Sequence, residues 1–296
     1  MNQQKEINWL EFLPTLWSKK IFIGGITAGF TLLAILWTLS LPNQFTATAL
    51  YQLTEEDTQS SLSSGAGNMA SIAGVNLGVQ SDTHYAEAVL QSRSFLKHLA
   101  SFPGIRENVT AASSFDDDLK EIVYKKNIFN GETKEWAQKD SQGNFLIPSD
   151  AEVYEEIMSR LKMYVDYETQ FIKIEFEHFS PIFAYEFLEL LVAELNNIER
   201  KKDTQRSSKA LIYLNSQLEQ TRQTGVQNSI SQLIESQLKT QMMANIDEHY
   251  LIQPIDPPVV PHAKSSPKRR NIVIFAFLFS LIGSCISILV RDSYFN

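Results

Sequence analysis

An α+β domain enclosed between two transmembrane helices is the architecture that this sequence predicts, and three observations predict it. Two uncharged apolar runs stand near the chain ends, short segments of β-type alternation lie between them, and residues 180–247 read as one very long helix. The expected aqueous part is a small mixed sheet near the membrane plus a very long protruding helix. The expected boundaries are a terminal segment 1–20, a transmembrane helix 21–41, an oligomerising domain 42–270, a second transmembrane helix 271–290 and a tail 291–296.

The first span rests on Ile21–Leu41, which holds no charge and is flanked by Trp17 and Trp37. At ~1.5 Å per residue such a run crosses a hydrocarbon layer of ~30 Å. It exceeds the ~7–15 residues of a signal-peptide core, and no small-x-small site precedes Pro42, so it is expected to stay on the protein. The second span, Ile272–Val290, is bounded by Lys268, Arg269 and Arg270 before it and by Arg291 after it. Charge does not orient the pair. Lys5, Lys19, Lys20 and Arg291 on the terminal side balance Lys264, Lys268, Arg269 and Arg270 on the loop side, which leaves the positive-inside rule tied.

Between the spans, Phe45–Leu53 alternates as a strand, and Ser60–Val79 is a Gly-, Ser- and Ala-rich loop or a small-residue packing surface. Residues Thr83–Ala100 carry one apolar face of a helix, stopped by Phe102-Pro103-Gly104. Asn130-Gly131 and Gln142-Gly143 break the acidic stretch from Phe115 to Gly143 into hairpins or a surface insertion. Ser149 and Glu152 have the spacing of a capping box, and Phe171–Glu177 alternates as a half-buried strand.

Ser180 and Pro181 form the cap of the long helix, a hydroxyl N-cap followed by proline in the first turn. Its first part is strongly apolar, from Phe183 to Leu195. Its second part carries a thinner stripe of Leu211, Leu214, Leu218, Ile230, Leu233 and Leu238, spaced as in helices that meet others of their kind. A continuous helix would be ~100 Å long. The other reading is two antiparallel helices hinged near Gly225.

Prolines 254, 257, 258, 261 and 267 keep the approach to the second span extended, a semi-rigid strut. Pro254-x-x-Pro257, Pro258-x-x-Pro261 and Ser266-Pro267-Lys268 just before a C-terminal span resemble the signature of the Wzz chain-length determinant family, the polysaccharide co-polymerases of Gram-negative bacteria. In that family a Gly-x-x-x-Gly pair follows; here Ser280-x-x-x-Ser284 stands, with Gly283 adjacent, and Gly25-x-x-x-Gly29 offers a second close-packing face in the first span. The resemblance implies cytoplasmic termini, a periplasmic domain and residence in the bacterial inner membrane. It further implies a homo-oligomeric ring that sets O-antigen length beside a membrane polymerase, in contact with the growing lipid-linked polysaccharide and the bilayer.

A net charge of −8 sets nucleic acid aside as a partner. The lone Cys285 lies in the second apolar run, so no disulfide is expected. There is no P-loop and no Gly-x-Ser-x-Gly elbow, and the five histidines form no His-x-x-x-His pair. Asp116-Asp117-Asp118 reads as a solvated face. No catalytic, metal or cofactor site is therefore expected. With only residues 1–20 before the first span and 291–296 after the second, a cytosolic kinase or signalling domain is not expected either, which separates the chain from kinase-bearing co-polymerases and counts against a two-span sensor. A kinase-less co-polymerase for capsule or exopolysaccharide export is the other reading of the same residues, and an anchored periplasmic hydrolase is a further class.

Overall fold

The computed structural model describes residues 17, 19–54, 80–139, 142–166, 168–246 and 248–295. The Ser60–Val79 stretch lies outside them. The chain divides into two compact units, one built from the terminal helices and one spanning Phe45–Ala263.

In the terminal unit, α1 (Lys20–Ser40) and the last helix, Arg269–Phe295, are long and apolar enough to cross a membrane and pack on each other. Thr27 and Thr38 are buried on the contact face of α1. Their hydroxyls donate back to the carbonyls of Ile23 (2.9 Å) and Ile35 (2.9 Å), so neither is left unpaired.

The other unit is built on a four-stranded sheet. Strand β1 (Phe45–Leu53) runs centrally, and its burial alternates residue by residue as the sequence alternates. After α2 (Gln80–Leu90), α3 (Arg93–Ala100) and α4 (Ile105–Ala111) come two small hairpins: β2 (Ala112–Asp116) with β3 (Glu121–Tyr124), and β4 (Phe129–Asn130) with β5 (Glu135–Trp136). Gly131 turns the second hairpin; a Cβ there would sit 2.9 Å from the Tyr124 ring. Asp116 caps its own turn, accepting from the backbone N–H groups of Asp118 (2.9 Å) and Leu119 (3.0 Å), while Asp117 and Asp118 face solvent.

Helix α5 (Asp150–Arg160) begins with the expected capping box: the Glu152 N–H donates to Ser149 Oγ (3.3 Å) and the Ser149 N–H to the Glu152 carboxylate (2.7 Å). Strands β6 (Leu161–Asp166) and β7 (Phe171–His178) follow, then α6 (Pro181–Gln220), α7 (Thr224–Ile246), β8 (Ile252–Asp256) and the terminal α8 (Arg269–Phe295). The sheet order is β6-β7-β1-β8 and every pairing is antiparallel, so the class is α+β as expected while the sheet is not mixed.

Register explains the core. On one face, Ala47 lies opposite Phe176 and Ala49 opposite Ile174, so small β1 residues leave room for large β7 ones. Phe183, Phe187, Leu191 and Leu195 of α6 cover that face, and the Phe187 ring stacks on Phe176 at 4.1 Å between centroids.

Two expectations need correction. The helix expected over 83–100 is two helices, because Ser92 turns the chain and accepts from the Phe95 N–H (3.2 Å) as a new N-cap. Of the two readings of 180–247, the structure has the antiparallel pair and not the single helix: α6 stops at Gln220, and Thr221-Arg222-Gln223, rather than Gly225, reverse the chain into α7, which packs back on α6. Gly225 lies inside α7, past the bend.

Candidate functional site

Ser180 stands where strand becomes helix. Its hydroxyl accepts from the Phe183 N–H (3.2 Å) and Pro181 occupies the first turn, as its fixed φ allows. Beside this cap His178 is fully buried. The Ser180 N–H donates to its Nδ1 (3.0 Å) and Nε2–H donates to the Asn108 carbonyl (2.9 Å), so the neutral ring satisfies both neighbours. Burial, with Arg160 nearby, depresses its pKa to about 4.

About 30 Å of α6 continues beyond Ile198, its last residue packed on the core, and forms the hairpin with α7. The hairpin encloses part of the expected association stripe: Leu211, Leu214 and Leu218 are half-buried and Ile230 is buried. Leu233 and Leu238 remain exposed. So do Ile212 (74%), Tyr213, Met242 and Ile246 (72%), which the stripe did not include. The Gln241 amide donates to Ser208 Oγ (2.8 Å) across the pair.

The proline-rich segment begins inside the sheet. Pro254 lies in β8, opposite Tyr51, on an edge strand where a missing N–H costs little. Pro257, Pro258 and Pro261 follow in extended chain without regular structure. Asn196 of α6, 3% exposed, holds the entry to β8: its Nδ2 donates to the Ile252 carbonyl (2.9 Å), and its Oδ1 accepts from the N–H groups of Leu251 (2.8 Å) and Ile252 (3.0 Å). Sequence reasoning missed this residue. The available signal was a polar side chain in register with Leu188, Leu191, Val192 and Leu195.

Nearby, Tyr85 donates to Glu199 (2.8 Å), which also pairs with Lys202 (2.8 Å), and burial raises the Tyr85 pKa. Asp150 is held below the usual carboxylate range by Arg106 (2.7 Å), then by Lys97 (3.0 Å).

Where the chain re-enters the terminal unit, Ser266 pairs with Gln44: the Gln44 N–H donates to the Ser266 carbonyl (2.9 Å) and the Ser265 N–H to the Gln44 carbonyl (2.9 Å). Pro267 follows a cis peptide bond, and Lys268 directly precedes α8. Within α8, Ser284 is buried and Ser280 half-buried, whereas a Cβ at Gly25, Gly29 or Gly283 would meet nothing within 4 Å. The serine pair therefore lies on the buried side of α8, and the glycine pair is absent from the contact between the two helices.

Replacing Ser280 and Ser284 together with Leu should overpack this face at ~1–3 kcal/mol. Lower thermal stability and smaller complexes on native gels of the detergent-solubilised protein are the expected results. Wild-type stability and complex size would contradict the assignment.

Among the described residues, no group of three or more His, Cys, Asp or Glu side chains could hold a metal ion. What the geometry offers is a helical hairpin with exposed apolar positions, an anchored exit strand and a junction between two paired terminal helices. These features describe an α+β protein with two helices long and apolar enough to cross a membrane.

Residues 5–101 match the family model described as Wzz, chain length determinant protein, so the resemblance drawn from the proline-rich end is met independently at the other end of the chain. Among solved structures, a full-length bacterial polysaccharide co-polymerase is 14% identical, with 95% of this chain and 96% of that chain covered and a TM-score of 0.39. A fragment of WzzB, the polysaccharide co-polymerase from Salmonella Typhimurium, is 10% identical, with 76% and 100% covered and a TM-score of 0.29. No curated protein sequence matches.

Proposed function

We propose that this protein is a non-catalytic regulator of the chain length of a lipid-linked polysaccharide, the O-antigen of lipopolysaccharide, acting as a ring-shaped homo-oligomer beside a membrane polymerase. The observation that carries the reading is the family match over residues 5–101. The proline-rich approach through Ser266-Pro267-Lys268 supports it from the opposite end of the chain. In this reading α1 and α8 cross the inner membrane, both termini are cytoplasmic and residues 42–270 are periplasmic.

The physical role follows from the two covalent exits of the folded unit. One leads directly from β1 into α1; the other leads from β8 through Pro257, Pro258 and Pro261 into α8. Contacts between copies, made by the exposed apolar positions of the hairpin, bear on the membrane helices through these two connections, and a polymerase docks on the paired helices.

The test is deletion of the gene followed by gel analysis of lipopolysaccharide. Loss of the modal length, restored by the wild-type gene, is expected; an unchanged ladder would refute the reading. A change confined to capsule or exopolysaccharide would move the function to that polymer. Replacing Pro257, Pro258 and Pro261 together with Ala should shift the modal length while membrane insertion is retained, since the apolar runs are untouched. Wild-type length from a well-expressed variant would reduce the segment to a tether.

A further inference from the structure

The ends of the two membrane helices meet in a collar of basic side chains that form no ion pair among the described residues. Arg269 Nη2 donates to the Leu41 carbonyl at the end of α1 (3.0 Å) and to Asn43 Oδ1 (3.1 Å), and Lys264 Nζ reaches the same Oδ1 (3.4 Å). Two cations thus converge on one neutral amide oxygen. Arg269 Nε is buried without a partner, and Lys268 and Arg270 are exposed with no ion pair among the described residues. The flanking sequence is free of acidic residues: no Asp or Glu occurs between Glu11 and Glu55, or between Asp256 and Asp292. The N-terminus of α8 adds its own partial positive charge.

Membrane insertion gives no reason for this arrangement. In the topology proposed above, on which this inference rests, four cations sit on the translocated side, against the usual bias of Lys and Arg towards the cytoplasm. Like charges held together beside a low-dielectric layer repel, and an anion placed among them relieves that repulsion. The position at the helix end, where hydrocarbon gives way to water, selects an anion that is itself anchored in lipid.

We propose that Asn43, Lys264, Lys268, Arg269 and Arg270 form a binding site for the phosphate-bearing headgroup of a membrane lipid. Arg269 is the fixed element, held by Leu41 and Asn43, while Lys268 and Arg270 close on the phosphate from the exposed side. Phosphodiester and pyrophosphate share this chemistry, so the source is either a bulk anionic phospholipid or a polyprenyl pyrophosphate that carries glycan.

The test is native mass spectrometry of the full-length detergent-solubilised protein with phosphatidylglycerol, a polyprenyl pyrophosphate, and diacylglycerol as the phosphate-free control. Wild type should retain the phosphate lipids over diacylglycerol. K268Q/R270Q, which leaves the Arg269 contacts in place, should lose retention by about 25-fold, roughly fivefold for each charge removed near the membrane surface. K264Q should lower it independently, and unchanged complex mass and circular dichroism will show that the variants are folded. Retention of phosphatidylglycerol alone supports the site with bulk lipid as its source; displacement of phosphatidylglycerol by polyprenyl pyrophosphate supports it with the carrier as its source. Equal retention of diacylglycerol and phosphatidylglycerol by wild type, or wild-type retention by the variants, would overturn the proposal. Topology is read separately, by labelling H262C in a C285S background with a membrane-impermeant maleimide from the periplasmic side. Labelling without lipid retention sinks the site and leaves the topology standing.

Discussion

Replacing Asn196 with Ala is expected to destabilise the folded domain by about 3 kcal/mol, because three hydrogen bonds to the chain entering β8 disappear at once. The site is buried, so water does not readily replace the lost partner, and the Leu251 and Ile252 N–H groups lose an acceptor that no other side chain is placed to supply. Asn196→Leu should fare no better, since it fills the space and still leaves the amides without the acceptor. Asn196→Asp keeps the acceptor but removes the donor to the Ile252 carbonyl, and it places a carboxylate in a buried site. Chemical denaturation of the detergent-solubilised protein measures the loss; a change below about 0.5 kcal/mol would show that β8 is held by its pairing with β1 alone. Under the proposed function the same variant should broaden the polysaccharide length distribution, because β8 is the fixed end of the proline-rich connection.

The second large effect is on pH. His178 is neutral in the fold because burial disfavours the charged ring, and protonation of Nδ1 would also set a new N–H against the Ser180 N–H that donates to it. Its pKa lies at about 4 in the fold against 6.5 when unfolded, so the unfolded chain binds the proton first as pH falls. The contribution is complete above pH 6.5, is lost progressively down to about pH 4, and amounts to ~3 kcal/mol across that window. The carboxylates of Asp150, Glu152 and Asp166, held below their usual range, act the same way at lower pH: their stabilisation is present above the unfolded carboxylate pKa and fades beneath it. Denaturant midpoints of wild type should therefore fall steeply between pH 6.5 and 4.5, and those of His178→Gln should be lower at neutral pH but flatter over the same interval. Parallel profiles would contradict the buried neutral ring.

The sequence patterns that translated into structure were those in which local chemistry leaves one solution. The alternation of Phe45–Leu53 gave strand bounds that the structure reproduces, and Ser149-x-x-Glu152 and Ser180-Pro181 mark true helix starts. Where tertiary contacts decide, the patterns were silent. The apolar spacing from Val89 to Leu99 runs through a break that a single serine cap enforces at Ser92. The bend at Thr221-Arg222-Gln223 contains neither Gly nor Pro, so helical propensity alone would carry α6 onward; the turn is set by packing of α7 back along α6. Strand β8 was hidden because Pro254 argues against a strand, until the edge position removes the need for its N–H. The membrane glycines were legible as small residues, but which neighbour they face was not: Ser284 meets the partner helix and Gly25 and Gly29 do not.

The hairpin bends back on itself and so hides part of the apolar stripe within one copy, yet Ile212, Tyr213, Met242 and Ile246 stay in contact with water. Covering them by neighbouring copies is the core of the proposed function. The mass of the purified full-length protein in detergent, measured by native mass spectrometry, addresses this most directly. A single closed species containing several copies is the predicted result, and a homogeneous population of lone 33.6 kDa chains would contradict it.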